Sequence, residues 1–198
     1  MGLAEKNYSQ SLKEILLFLK HYLSNPRKTG SIYPSSPALG RAMASFLENK
    51  QGSTVIELGP GTGSITNALL KSGIELDNFY ACEISEIFTK HLLERFPGIH
   101  VRTGDASKLT EVFDELFGKV DCIFSSLPLK SLPSALVEEI IDQEYEILKP
   151  QGIVIQFTYD LRKRKTALTD RFEHIGSKIV TANFPPARVD AFIKPGEF

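Results

Sequence analysis

The chain has 198 residues, 42% of them hydrophobic and 24% charged, with a formal net charge of −1. That is one domain's length with a proper core, and no apolar run reaches the roughly 18 residues of a membrane-spanning helix. The small net charge hides an asymmetry. Residues 1–41 carry six basic and two acidic side chains, a net +4, and the remainder carries 17 and 22, a net −5. The apolar run Ile15–Leu19 is too short for a secretory signal, and Lys6 stands where a myristoylation start needs Ser or Thr.

The first predicted element is a helix. Leu12, Ile15, Leu16, Leu19, Tyr22 and Leu23 recur at helical spacing, Phe18 widens the stripe, Lys13 and Lys20 flank it, and Pro26 ends the pattern. A basic amphipathic helix suits an anionic membrane surface, and the same stripe suits packing on its own domain. Ser36 to Glu48 reads as a second helix. Predicted strands then alternate with predicted helices: Val55–Leu58, helix Ser64–Ser72, strand Asn78–Glu83, helix Ser85–Phe96, strand Ile99–Arg102, helix Ser107–Leu116, strand Asp121–Ser125, helix Ser131–Leu148 and strand Gly152–Tyr159. Two β-like runs separated by Pro185-Pro186 close the chain. Apolar strands alternating with helices argue for a parallel sheet covered on both faces. Cys82 and Cys122 fall inside predicted central strands and read as buried thiols, and the four histidines never pair at metal-ligand spacing, so no metal is expected.

The stretch from Val55 to Thr66 carries the chemistry. A short strand holds Glu57, then Gly59, Pro60, Gly61 and Gly63 lead into a helix whose free N–H groups attract negative charge. A dinucleotide fingerprint would put its third glycine at Ser64, and a phosphate-binding P-loop needs a lysine that does not come before Lys71. The pattern Glu-x-Gly-x-Gly-x-Gly resembles the first motif of class I S-adenosylmethionine (SAM) methyltransferases. Glu83 ends the next strand 20 residues after Gly63, the distance at which an acid accepts from a ribose diol. Gly104-Asp105-Ala106 follows the third strand, and the resemblance implies that Asp105 faces the adenine amino group.

Ser125-Ser126-Leu127-Pro128-Leu129 follows the fourth strand and resembles the Asn/Ser-Leu-Pro-aromatic motif of ribosomal RNA adenine-N6 dimethylases. Leu129 replaces the aromatic side chain on which a base would stack, which suits an acceptor amine that is not aromatic. The blocks Pro26–Ser36, Ser126–Leu129, Gln156–Tyr159 and Asn183–Val189, in this order, resemble the bacterial phospholipid N-methyltransferases, small enzymes that methylate phosphatidylethanolamine with SAM. The resemblance implies an N-terminal helix that docks on anionic membrane.

The expectations are therefore these. The fold is a Rossmann-like α/β methyltransferase with a mostly parallel seven-stranded sheet, an antiparallel last strand and an N-terminal amphipathic arm. Residues 1–50 form the arm and lid, and residues 51–198 the cofactor-binding core. The cofactor is SAM, leaving as S-adenosylhomocysteine. Its expected site is Tyr33, Ser35, Glu57, Gly59, Pro60, Gly61, Gly63, Glu83, Ile84, Asp105, Ala106 and Ser126. Ser126, Leu127 and Tyr159 are expected to orient the acceptor amine, and Arg188, followed by Lys28 and Arg27, to bind a lipid phosphate. The Arg162-Lys163-Arg164-Lys165 run reads as a solvated loop. The expected reaction is N-methylation of phosphatidylethanolamine and its methylated derivatives by a monomer at the cytoplasmic face of the cell membrane, with no nucleic-acid partner. The alternatives are an rRNA adenine-N6 methyltransferase, a small-molecule N-methyltransferase and a non-catalytic SAM- or membrane-binding protein.

Overall fold

The computed structural model describes residues 35–162 and 166–196. The expected arm helix, Tyr33, Lys28, Arg27 and Lys163–Lys165 lie outside the described residues.

Seven strands form one sheet: β1 (Val55–Leu58), β2 (Phe79–Glu83), β3 (His100–Thr103), β4 (Val120–Ser125), β5 (Leu148–Thr158), β6 (Glu173–Val180) and β7 (Ala187–Ile193). Their order is β3-β2-β1-β4-β5-β7-β6. Strands β1 to β5 pair in parallel, and β7 runs antiparallel between β5 and β6. This is the expected mostly parallel sheet with a single reversed last strand. The central strands β1 and β4 are buried almost throughout because helices cover both faces.

Among the described residues the α-helices are α1 (Pro37–Ala44), α2 (Ser64–Lys71), α3 (Glu86–Arg95), the short α4 (Leu109–Val112) and α5 (Ser134–Ile147). Helix α1 starts where Ser36 Oγ accepts from the Leu39 N–H and where Pro37 needs no hydrogen-bond partner. Its Leu39, Met43 and Ala44 join Val55, Leu69, Phe79, Phe124 and Val189 in one core cluster. The segment grouped with the arm by sequence thus contains a helix of the core. The opposite cluster joins Ile56, Leu58, Phe113, Ile123, Val137, Ile141 and Phe192. Alternation along β4 sets this division: Cys122 and Phe124 face the first cluster, Ile123 the second.

Two local readings differ from expectation. The single helix expected over Ser107–Leu116 is a 3-10 turn (Ala106–Lys108), then α4, then a second 3-10 turn (Asp114–Leu116). The break is at Phe113, held at φ −130° and ψ 60°, where it is fully buried and meets Tyr80 edge-on at 5.7 Å. Strand β5 begins earlier than expected, because Leu148 pairs with Val120 before a bulge restores register at Cys122 and Ile153.

Both cysteines are free and buried. Burial pushes the Cys82 thiol up to about 12, helped by the charges of Glu83 and Asp105, and Cys122 is raised well above its ordinary value. Both are packing residues without thiolate chemistry.

Candidate functional site

The chain leaves β1 toward β2 on one side and reaches β4 on the other, so the loops after β1 and β4 part at the carboxyl end of the sheet. Such a switch point is where α/β sheets hold ligands. The two loops touch here: Ser126 N–H donates to Leu58 carbonyl at 2.9 Å, and a Cβ on Gly59 would stand 2.9 Å from Leu127 Cδ2.

The glycine loop is folded by its own backbone and by the acid of β2. Gly63 N–H donates to the Pro60 carbonyl at 2.9 Å, and Gly61 N–H donates to Glu83 Oε2 at 3.0 Å. Gly61 has φ +55°, and nothing lies within 4 Å of where its Cβ would be. The backbone there is open to a ligand's close approach. Gly63, at φ +78°, fulfils a different need: a Cβ would meet Phe96 at 2.5 Å and Leu92 at 2.9 Å.

Glu83 Oε1 also accepts from Ser85 N–H at 3.0 Å. Burial raises its carboxyl, and the N–H groups of Ser85, Gly61 and Ile84 oppose that rise. Each carboxylate oxygen has two lone pairs, so Glu83 can hold the loop and still accept from a diol. Ile84 is half-buried beside it. Asp105 Oδ1 accepts from Ser107 N–H at 2.9 Å and starts the turn that contains Ala106. Gly104 N–H donates to the Glu83 carbonyl at 3.0 Å, which brings the Asp105 loop beside that of Glu83.

Glu57 is fully buried, and its Oε2 accepts from Thr66 Oγ1 at 2.6 Å. Burial pushes its carboxyl up to about 8; the Thr66 hydroxyl opposes the rise and the Glu83 charge adds to it. Its Oε1 has no hydrogen-bond partner. An unpartnered buried carboxyl oxygen beside an open glycine loop is suited to a ligand that brings a positive charge or a donor. These features fit SAM, a cation with a ribose diol. Thr66 closes the stretch read from the sequence but was not among the expected cofactor residues; its place as the third residue of α2 was the available signal.

On the acceptor side, Ser126 Oγ is buried and has no hydrogen-bond partner. The Leu127 carbonyl accepts from Gln156 Nε2 at 2.9 Å, which ties the loop to β5. Leu127 and Leu129 pack against the second core cluster. Lys130 Nζ meets Asp160 Oδ2 at 2.6 Å, so the same loop is tied to the segment after β5. Asp160 is held well below the usual carboxylate range by Lys130 and Arg162. Tyr159 is 37% exposed and meets Phe157 edge-on at 5.7 Å. Ser35 is half-buried, next to Ser36, whose N–H donates to Asn183 Oδ1 at 2.8 Å.

Arg188 departs from expectation. Its side chain is 4% exposed and meets Asp190 Oδ2 through Nε and Nη2, each at 2.9 Å. Nη1 donates to the Arg162 carbonyl. The guanidinium is a buried structural cation, and this pairing takes it out of the lipid-phosphate role.

The comparisons with known proteins agree with this geometry. A family model described as a methyltransferase domain matches residues 55–152. The ornithine lipid N-methyltransferase of Singulisphaera acidiphila is 27% identical over 180 residues, covering 89% of this chain and 94% of that protein. Ribosomal RNA small subunit methyltransferase A of Borrelia garinii subsp. bavariensis is 29% identical over 170 residues, covering 83% of this chain but 56% of its own length. Among solved structures, Burkholderia thailandensis 1,6-didemethyltoxoflavin-N1-methyltransferase, crystallised with 1,6-didemethyltoxoflavin and S-adenosylhomocysteine, aligns with a TM-score of 0.67. That alignment covers 96% of this chain and 90% of the other at 15% identity, so what it shows is a shared fold.

Proposed function

We propose that this chain, a SAM-dependent methyltransferase, transfers the methyl group to the amine of a membrane lipid headgroup. The observation that carries the reading is the loop after β4. It sets the unpartnered Ser126 Oγ beside the glycine loop and follows it with Leu129, which packs into the core. A base-modifying enzyme needs an aromatic stacking surface at this place; a small aliphatic amine needs an acceptor and little else. The relative that matches nearly end to end is by name an ornithine lipid N-methyltransferase.

SAM supplies an electrophilic methyl group on a sulfonium. This chain's residues bind, orient and dry the site. Glu57, Gly61, Glu83 and Asp105 would hold the cofactor. Ser126 Oγ and Tyr159 would orient the amine in line with the methyl group. An ammonium has no lone pair, so an acceptor must first favour its neutral form.

The acceptor we favour is phosphatidylethanolamine with its mono- and dimethylated forms, on the sequence blocks shared with the phospholipid N-methyltransferases. Ornithine lipid is the second reading, favoured by the relative's name and by Arg188 being engaged away from a phosphate. The basic stretch before residue 41 would bring the enzyme to the anionic inner face of the cell membrane, each cation adding about 1 kcal/mol. The test uses labelled SAM with three substrates: vesicles of phosphatidylethanolamine and anionic lipid, vesicles of ornithine lipid and anionic lipid, and ribosomal RNA. Label in the first supports the favoured acceptor, label in the second alone moves it to ornithine lipid, and label in RNA alone overturns the lipid reading. Sedimentation with anionic vesicles should weaken at high salt and on charge reversal of Lys13 and Lys20.

A further inference from the structure

The loop after β4 and the segment after β5 are joined at two levels. At the inner level, Gln156 Nε2 donates to the Leu127 carbonyl at 2.9 Å. At the outer level, Lys130 Nζ meets Asp160 Oδ2 at 2.6 Å. The inner tie ends on the residue after Ser126, and the outer tie ends on the residue after Tyr159. The stretches that carry Ser126 and Tyr159 are thus held together by side chains at two points. The outer tie grips a formed turn: Lys130 is the middle residue of a 3-10 turn (Leu129–Ser131), which the Ser131 N–H closes on the Pro128 carbonyl at 2.8 Å.

Asp160 is the joint of the outer level. Its N–H donates to Thr158 Oγ1 at 3.2 Å, and its Oδ1 accepts from the Arg162 N–H at 3.1 Å and from Arg162 Nε at 3.2 Å. One carboxylate oxygen folds its own segment while the other reaches the acceptor loop. Arg188 Nη1 donates to the Arg162 carbonyl. The folded segment is therefore fixed in turn to a guanidinium that is buried against Asp190 on β7. The buried pair is the anchor, and Asp160 passes its position on to Lys130. The Lys130 and Arg162 side chains are 52% and 72% exposed, and ion pairs at such places add little to stability. What the convergence of these groups on one carboxylate delivers is geometry.

We propose that Asp160 sets the separation between Ser126 and Tyr159 and so positions the acceptor amine for in-line attack. The proposal rests on the reading that a lipid amine binds between these two residues. Asp160 acts through Lys130 on one side and through its own segment on the other, and is a positioning residue. Glu57, Glu83 and Asp105 belong to β1, β2 and the loop after β3, and Asp160 bonds to none of these. Loosening the joint should therefore disturb the acceptor half of the site and leave the cofactor half as it is.

The test compares wild type, Asp160→Asn, Lys130→Met, Lys130→Arg and the double variant of Asp160→Asn with Lys130→Met. Labelled SAM is supplied with vesicles of phosphatidylethanolamine or of ornithine lipid, each mixed with anionic lipid. In Asp160→Asn and Lys130→Met we expect kcat/KM for the lipid to fall about tenfold, less than the roughly 100-fold cost of a 1 Å misplacement. The calorimetric Kd for SAM should be unchanged, and melting should barely move. The double variant should fall no further than Asp160→Asn, because both changes remove one link. Lys130→Arg, which keeps the charge, should recover most of the loss. Asp160→Asn makes the surface more positive, so attraction to an anionic bilayer alone would raise its rate; the joint requires a fall. Wild-type or higher kcat/KM in Asp160→Asn, additive losses in the double variant, or a weakening of SAM binding that matches the loss overturns the proposal while the lipid reading stands. If wild type labels neither lipid, that reading fails and takes the proposal with it.

Discussion

Gly61 and Gly63 of the glycine loop serve different ends, and one substitution at each tells them apart. Gly61→Ala puts a Cβ into open space at φ +55°, and Gly63→Ala puts one 2.5 Å from the Phe96 ring at φ +78°. Both pay the left-handed cost, of which about 1 kcal/mol is a fair lower figure. Only Gly63→Ala adds overpacking, about 2 kcal/mol in the middle of the usual range. At about 2–4 °C per kcal/mol for a chain of this size, Gly61→Ala should melt about 2–4 °C lower and Gly63→Ala about 6–12 °C lower. Cofactor binding should rank the other way. Backbone open to a ligand at Gly61 is closed by a methyl group, and SAM affinity should fall at least about tenfold, or about 1.4 kcal/mol. Differential scanning fluorimetry and isothermal titration with SAM read both quantities. Equal melting of the two variants, or undiminished SAM binding by Gly61→Ala, would refute this division of labour.

Arg188→Ala leaves Asp190 buried without its cation and should cost about 3–5 kcal/mol in urea unfolding; a variant that folds normally and loses only lipid binding would restore the phosphate role. Thr66→Val removes the hydroxyl on Glu57 Oε2 and should cost about 1–3 kcal/mol, with weaker SAM binding by calorimetry; unchanged values in both would show that the 2.6 Å bond carries nothing. Glu144, like Glu57, is raised from its ordinary 4.5 to about 8. Between these values the unfolded chain has lost protons that the folded one keeps, so stability falls as pH rises through this window. Glu144→Gln should flatten that fall in melting curves taken from pH 5 to 8, and an unaltered slope would exclude an ionisable Glu144.

The sheet and the cofactor half of the site were legible because their signals are local. Glu57, the three glycines and Glu83 lie within one strand-helix-strand unit, and short apolar runs marked each parallel strand. What escaped depends on partners distant in sequence or on a second reading of the same pattern. Phe113 breaks a helical period because it fills the space against Tyr80, 33 residues earlier. Arg188 looked like a phosphate ligand, yet Asp190 stands two positions on, on the same face of a strand, and that spacing was a sufficient warning of an internal ion pair. Glu144 was visible as a carboxylate in an apolar helical stripe, but its full burial comes from the packing of α5 on the second core cluster.

Buried carboxyls at the carboxyl ends of these strands also predict how the cofactor binds. Glu57 is pushed up to about 8 with one oxygen unpartnered, so at pH 7 it is mostly protonated in the free enzyme. SAM brings a fixed positive charge, and an adjacent cation lowers a carboxyl's pKa. Binding must therefore release protons, up to about one per SAM at pH 7, and the affinity must rise with pH across this range by the same linkage. Titration calorimetry in two buffers of different ionisation enthalpy measures the number directly. The released proton should vanish in Glu57→Gln, while Glu144→Gln should leave it unchanged, because α5 packs on the second core cluster and Glu57 alternates onto the face of the first. Buffer-independent enthalpies in wild type, or full release from Glu57→Gln, would mean that Glu57 does not sense the cofactor's charge and that its burial serves the fold alone.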